Sequence, residues 1–186
     1  MRATVALAAL SLALAADGFA CSMISTPHVL DPQEQKLDRK APERIEASLA
    51  RIVRGRGPVA HEDGIVSVTS CDDIGSVVLA LKAVPRDDRT PPDKIGYRIL
   101  LVDGELPKGA SLSEQATRDL TDENELTFYW PDGATDEQEP LEFALAIVAV
   151  DLGGNESEPS APVWIRHPGK KKDEPHCGTT SLIVDR

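Results

Sequence analysis

Apolar residues recur at every second position through Leu141, Phe143, Leu145, Ile147 and Ala149, the strongest alternation in the chain. Side chains two apart share one face of a strand, so this run predicts a strand with a buried side. The intervening Ala144, Ala146, Val148 and Val150 are also apolar, which predicts a central strand or one covered on its second face. Leu152-Gly-Gly-Asn155 follows, a run that accepts the positive φ of a hairpin turn, and Val163 and Ile165 mark a last strand.

Weaker alternations precede it. Ile45, Ala47 and Leu49, followed by Val53, form a first strand. The same residues fit a helix, because 45, 49, 52 and 53 share a helical face; the surrounding strands favour the strand. Val77, Leu79, Leu81 and Ala83 alternate within Ile74–Val84; Ile95, Tyr97, Ile99 and Leu101 form another run, and Leu126, Phe128 and Trp130 a further one. Turn and loop residues lie between them. Residues 54–73 are rich in Gly, His and Asp, around a short Ile65-Val-Ser-Val-Thr run. Pro85–Asp93 is rich in proline and acids, Asp103-Gly104 and Pro107-Lys-Gly109 make a turn, and Pro131-Asp-Gly133 ends a strand. Residues 111–124 are polar, with room for a short helical turn. Several short strands with few helical patterns predict an all-β fold: a single antiparallel β-sandwich over 43–167.

The ends read differently. Residues 1–20 combine Arg2, an apolar Val5–Ala16 and a polar Asp17-Gly-Phe-Ala20. That order is a secretory signal peptide, and its apolar core is too short for a membrane anchor. Residues 21–42 are polar and lack apolar periodicity, so they read as a disordered tether, reaching about 25 Å. Residues 168–186 read as a disordered C-terminal tail.

An exported chain meets an oxidising compartment, which makes its three cysteines informative: Cys21, Cys71 and Cys177. Three is odd, so one stands apart. Cys21 directly follows the signal peptide, where bacterial lipoproteins carry an acylated cysteine and so attach to the membrane. Lipidation there leaves Cys71 and Cys177 as a pair. The local residues point the other way: Gly18 stands where an aliphatic residue is usual, so Cys21 stays open between a lipid anchor and an ordinary residue. A Cys71–Cys177 bridge would close a loop of about 106 residues, a gain of about 4–5 kcal/mol by loop entropy; the rival reading is that Cys177 pairs with Cys21 or stays free. The net charge of −11 repels phosphate backbones and argues against a nucleic-acid partner. Lys170-Lys-Lys172 reads as solvated tail.

Two stretches carry a resemblance. The segment "AVDLGGNESEPS" (149–160) is similar to the closing strands of fibronectin type III and bacterial immunoglobulin-like domains, and "KIGYRILLVDGELPKG" (94–109) to their third strand. The resemblance spans roughly 74–166. It lacks the tryptophan of the second strand, the tyrosine corner of the sixth and an intersheet cysteine pair. It implies a non-enzymatic interaction or structural module, either secreted or in the cell envelope, acting on a protein or surface partner. The alternative is a calcium- or carbohydrate-binding sandwich.

Candidate chemistry is sparse. Asp151 resembles a calcium-binding Asp of cadherin-like domains, with Asp72-Asp73 and Asp87-Asp88 as further oxygen donors. No twelve-residue calcium loop accompanies them, and Asp151 and Asn155 are better read as holding their own turn. Tyr129 and Trp130 must face opposite sides of a strand, and Trp164 faces away from Val163 and Ile165; packing is favoured over sugar stacking. His28, His61, His167 and His176 lack zinc-ligand spacing. No Gly-x-Ser-x-Gly, His-Glu-x-x-His or phosphate-binding glycine loop is present. The expectation is therefore a chain without catalytic residues, metal or cofactor.

Overall fold

The computed structural model describes residues 25–55, 59–60, 66–67, 73–132 and 138–169. The stretch read as a signal peptide, Cys21, Cys71, Cys177, Asp72, His61, His176 and the residues beyond Gly169 lie outside the described residues.

Every long alternating run forms a strand. The strands are β1 (Ala47–Val53), β2 (Val59–Ala60), β3 (Val66–Ser67), β4 (Ile74–Leu81), β5 (Gly96–Gly104), β6 (Glu125–Pro131), β7 (Leu141–Val150) and β8 (Val163–His167). They build two antiparallel three-stranded sheets, ordered β1-β4-β6 and β5-β7-β8, which pack together as a β-sandwich. β2 and β3 pair as a small sheet inside the stretch read as a loop. No helix is long and apolar enough to cross a membrane among the described residues.

Period-two patterning decides which side of each strand turns inward. Val77, Leu79 and Leu81 of β4 and Leu126, Phe128 and Trp130 of β6 meet Phe143, Leu145, Ile147 and Ala149 of β7 and Val163 and Ile165 of β8 in one core. The Phe128 and Trp130 rings stack at 5.9 Å between centroids. β7 is the middle strand of its sheet. Its outward Ala144, Ala146 and Val148 are buried as completely as its inward residues, as its two-sided apolar pattern predicts.

Tyr97 adds a titrating group to this core. Its hydroxyl is buried with no hydrogen-bond partner among the described residues. Burial disfavours the phenolate and pushes the pKa up to about 12 from an ordinary 10.0. Stability from this group is complete below pH 10, declines as the unfolded chain ionises, and is gone once pH passes about 12. The loss amounts to up to about 2–3 kcal/mol. Tyr97→Phe should keep neutral-pH stability, since it removes an unpaired hydroxyl. It should also lose less stability than the native chain between pH 8 and pH 11 in urea titrations. Equal losses would refute this.

The stretch read as a tether differs most from expectation. Of 21–42, residues 25–42 are described, and they lie against the sandwich. The Thr117 backbone exchanges two hydrogen bonds with Tyr97, and residues 26 and 28 pair with 118 and 116 in turn. The short helix α1 (Glu34–Leu37) follows, and Asp38 after it is buried. The polar 111–124 stretch holds no helix; its Thr117 serves as the bridge. A 3-10 turn appears instead at Pro92–Lys94.

Candidate functional site

Among the described residues, four places gather polar or exposed side chains: the turn after β7, the β4–β5 connection, the sandwich end where β1, β6 and β8 meet, and the outer face of the β5-β7-β8 sheet.

Asp151 is fully buried at the first. Its Oδ1 accepts the Asn155 backbone N–H and its Oδ2 the Asn155 side-chain amide, both at 2.8 Å. Its carbonyl accepts the Gly154 N–H and the His28 Nε2 contact at 2.8 Å. Gly154 takes φ +85°, a conformation that glycine adopts without penalty. Both carboxylate oxygens of Asp151 therefore hold the turn. His28 lies across Gly96, where a Cβ would come within 2.4 Å of the imidazole Cγ; only glycine lets the N-terminal segment sit this close.

After the turn, Ser157 and Ser160 continue the ladder that prolines 159 and 162 would interrupt. Their hydroxyls accept the Ala149 and Ile147 N–H groups at 2.9 and 3.0 Å, while their own N–H groups donate to the carbonyls of the same two residues. Both serines are buried. The Ser-x-x-Ser spacing within "NESEPS" was the signal available for this pairing, and the period-two reading passes over it.

Asp87 and Asp88, the second predicted acid pair, sit in the β4–β5 connection. They gather with Asp38, not with Asp151: one carboxylate oxygen from each of the three lies within 4.8 Å of the others. Asp87 Oδ2 accepts the Arg89 and Thr90 N–H groups at 2.9 and 2.6 Å. Thr90 Oγ1 accepts the Leu152 N–H at 3.0 Å, tying this loop to the Asp151 turn. Asp73 lies at the start of β4, and its carbonyl accepts the Asp132 N–H.

At the β1, β6 and β8 end, Arg54 and Asp132 form a nearly buried bidentate pair, Nε to Oδ2 at 2.8 Å and Nη2 to Oδ1 at 2.9 Å. The Gly55 N–H, the Trp130 indole and the Gln138 amide also donate to Asp132. His167 Nδ1 lies 3.3 Å from Arg54 Nη1 and accepts the Gly169 N–H at 3.1 Å. Facing two donors, Nδ1 carries no proton, and the ring hydrogen sits on Nε2. His167 is thus a structural acceptor here.

On the outer sheet face, Trp164 pairs across strands with Ala144 and is 40% exposed. The Arg166 guanidinium lies over its ring at 4.7 Å. Half-exposed Val102 lies toward the end of β5, across β7 from β8. Tyr129 is exposed on the other sheet and Trp130 is buried, the opposite-faced pair that alternation requires.

No protein-family model matches this chain, and no curated protein is similar to it at a meaningful level.

Proposed function

We propose that this chain is a non-enzymatic interaction or structural module of immunoglobulin or fibronectin type III kind, exported to the cell envelope or secreted. The strand order supports the finer fold reading: β1-β4-β6 facing β5-β7-β8 matches the A-B-E and C-F-G sheets of that architecture. The observation that carries the function is Trp164. Tryptophan and arginine are enriched among residues that dominate binding. Here the two stack on the outer side of β8, where Trp164 is 40% exposed and its cross-strand neighbour Ala144 is buried beneath. Arg166 covers one face of the ring, and the exposed remainder of the indole is the surface offered to a partner.

Two measurements test the reading. A photo-crosslinking residue at position 164, in the full chain exposed to envelope and secreted fractions of its own source, should give a discrete adduct. The same residue at Lys82, exposed beyond the other sheet, should give none. Equal labelling at both sites, or none at either, would sink the interaction reading. Trp164→Ala should abolish the adduct-forming partner's binding while changing stability by less than about 1 kcal/mol. Mass spectrometry of the mature N-terminus addresses export: a chain beginning at Cys21 supports it, added acyl mass establishes the lipid anchor, and an intact Met1 overturns it. The carbohydrate alternative draws on the same tryptophan. Arg166 already covers one face of its ring, so a sugar must use the other face and should change the indole fluorescence.

A further inference from the structure

We propose that Asp38, Asp87 and Asp88 bind one calcium ion, which clamps the N-terminal segment onto the β4–β5 connection. The inference does not rest on the interaction reading above.

Asp38 follows α1 in extended conformation and is 2% exposed. Its Oδ1 accepts the Lys40 N–H at 3.0 Å. Its Oδ2 is buried with no hydrogen-bond partner among the described residues, and so is Asp87 Oδ1. Buried polar atoms are almost always paired in folded proteins, and a carboxylate oxygen lacking a donor is costly. Here two such oxygens belong to acids that approach each other, which adds like-charge repulsion.

The neighbouring cations do not resolve this. Lys40 Nζ is 3.9 Å from Asp88 Oδ2, with both side chains largely exposed. Arg89 is drawn toward Asp38 and Asp88 electrostatically, but its Nε and Nη2 donate to Glu34 at 2.6 and 3.0 Å. These groups offset charge without donating to the two orphaned oxygens.

A hard divalent cation would do both. Two oxygens that each sit about 2.4 Å from one ion are at most about 4.8 Å apart, so the observed spacing admits a shared calcium. The donor set is oxygen alone, which excludes the nitrogen and sulfur preferences of zinc. Calcium accepts six to eight oxygens in irregular arrangements, whereas magnesium demands a near-octahedral shell. Water would complete the shell from an adjoining open recess of about 200 Å³ lined by Lys40, Ala41, Glu43, Arg86, Asp87 and Asp88.

The full chain, stripped with a chelator, should bind one calcium per molecule by titration calorimetry. Its melting temperature should rise by about 5–10 °C at a free calcium concentration about a hundredfold above Kd. Magnesium at the same concentration should do much less. Asp88→Ala, an exposed change, should leave the metal-free melting temperature in place and weaken calcium binding at least tenfold. Asp38→Asn should raise the metal-free melting temperature, by relieving repulsion, and remove the calcium response. A native chain unresponsive up to about 10 mM calcium, well above the weakest protein sites, would overturn the proposal. So would an undiminished response in both variants, or an equal response to magnesium.

Discussion

Replacing Asp132 with alanine is expected to lower the unfolding free energy by about 3–5 kcal/mol, the range for removing one partner of a buried ion pair. The reason is what remains. Arg54 would keep a guanidinium that is nearly enclosed, and the Gly55 N–H, the Trp130 indole and the Gln138 amide would each lose an acceptor. Thermal melts should show a fall of roughly 10 °C. Arg54→Ala should cost a comparable amount, and the double variant much less than the sum, because each single change already breaks the same unit. By contrast, Glu46→Ala should leave the melting temperature nearly unchanged, since its Lys82 partner is equally solvent-exposed. An Asp132 variant as mild as the Glu46 one would show that the node does not organise this end of the sandwich.

Phe143→Ala is expected to have an effect of the same order, about 3–5 kcal/mol, by a different route. Phe143 is fully buried on the central strand of its sheet, opposite Ile165 on β8 and Gly104 on β5. A glycine neighbour cannot expand into the vacated space, and Ile165 is held by its own core contacts. The cavity should therefore persist, and the transfer and cavity costs should add. Urea titration should show a lower midpoint with an unchanged slope. A loss below about 1 kcal/mol would mean that the core collapses around the gap.

Five of the six long strands were legible because each repeats with period two over at least three apolar positions; β8 shows only Val163 and Ile165 and was legible from the turn that precedes it. The double-sided β7 was legible for the same reason. The helix alternative for residues 45–53 fell because β4 supplies a partner register along the whole of β1, which no local pattern reveals. Residues 25–42 gave no signal because backbone groups anchor them. The His28 N–H bonds to Ala116, the Asp31 N–H to Leu152 and the Arg118 N–H to Thr26, and such bonds leave no trace in side-chain hydropathy. Asp38 was hidden by composition: an acid among polar residues reads as solvated, yet this one is enclosed. The Arg54–Asp132 pair joins residues 78 apart in sequence, and spacing of that length carries no motif. Asp151 was read correctly as a turn residue because its partner Asn155 lies within the same turn.

The pairing of residues 26 and 28 with 118 and 116, and of Thr117 with Tyr97, has a consequence for association between molecules. A sandwich sheet ends in rows of unpaired N–H and C=O groups that can template another chain. At the start of β5 that row is taken up twice over, first by Thr117 and then by the segment leading out of the N-terminus. The leading segment is thus a built-in edge guard: together with Thr117 it keeps this stretch of border from zipping onto a neighbour.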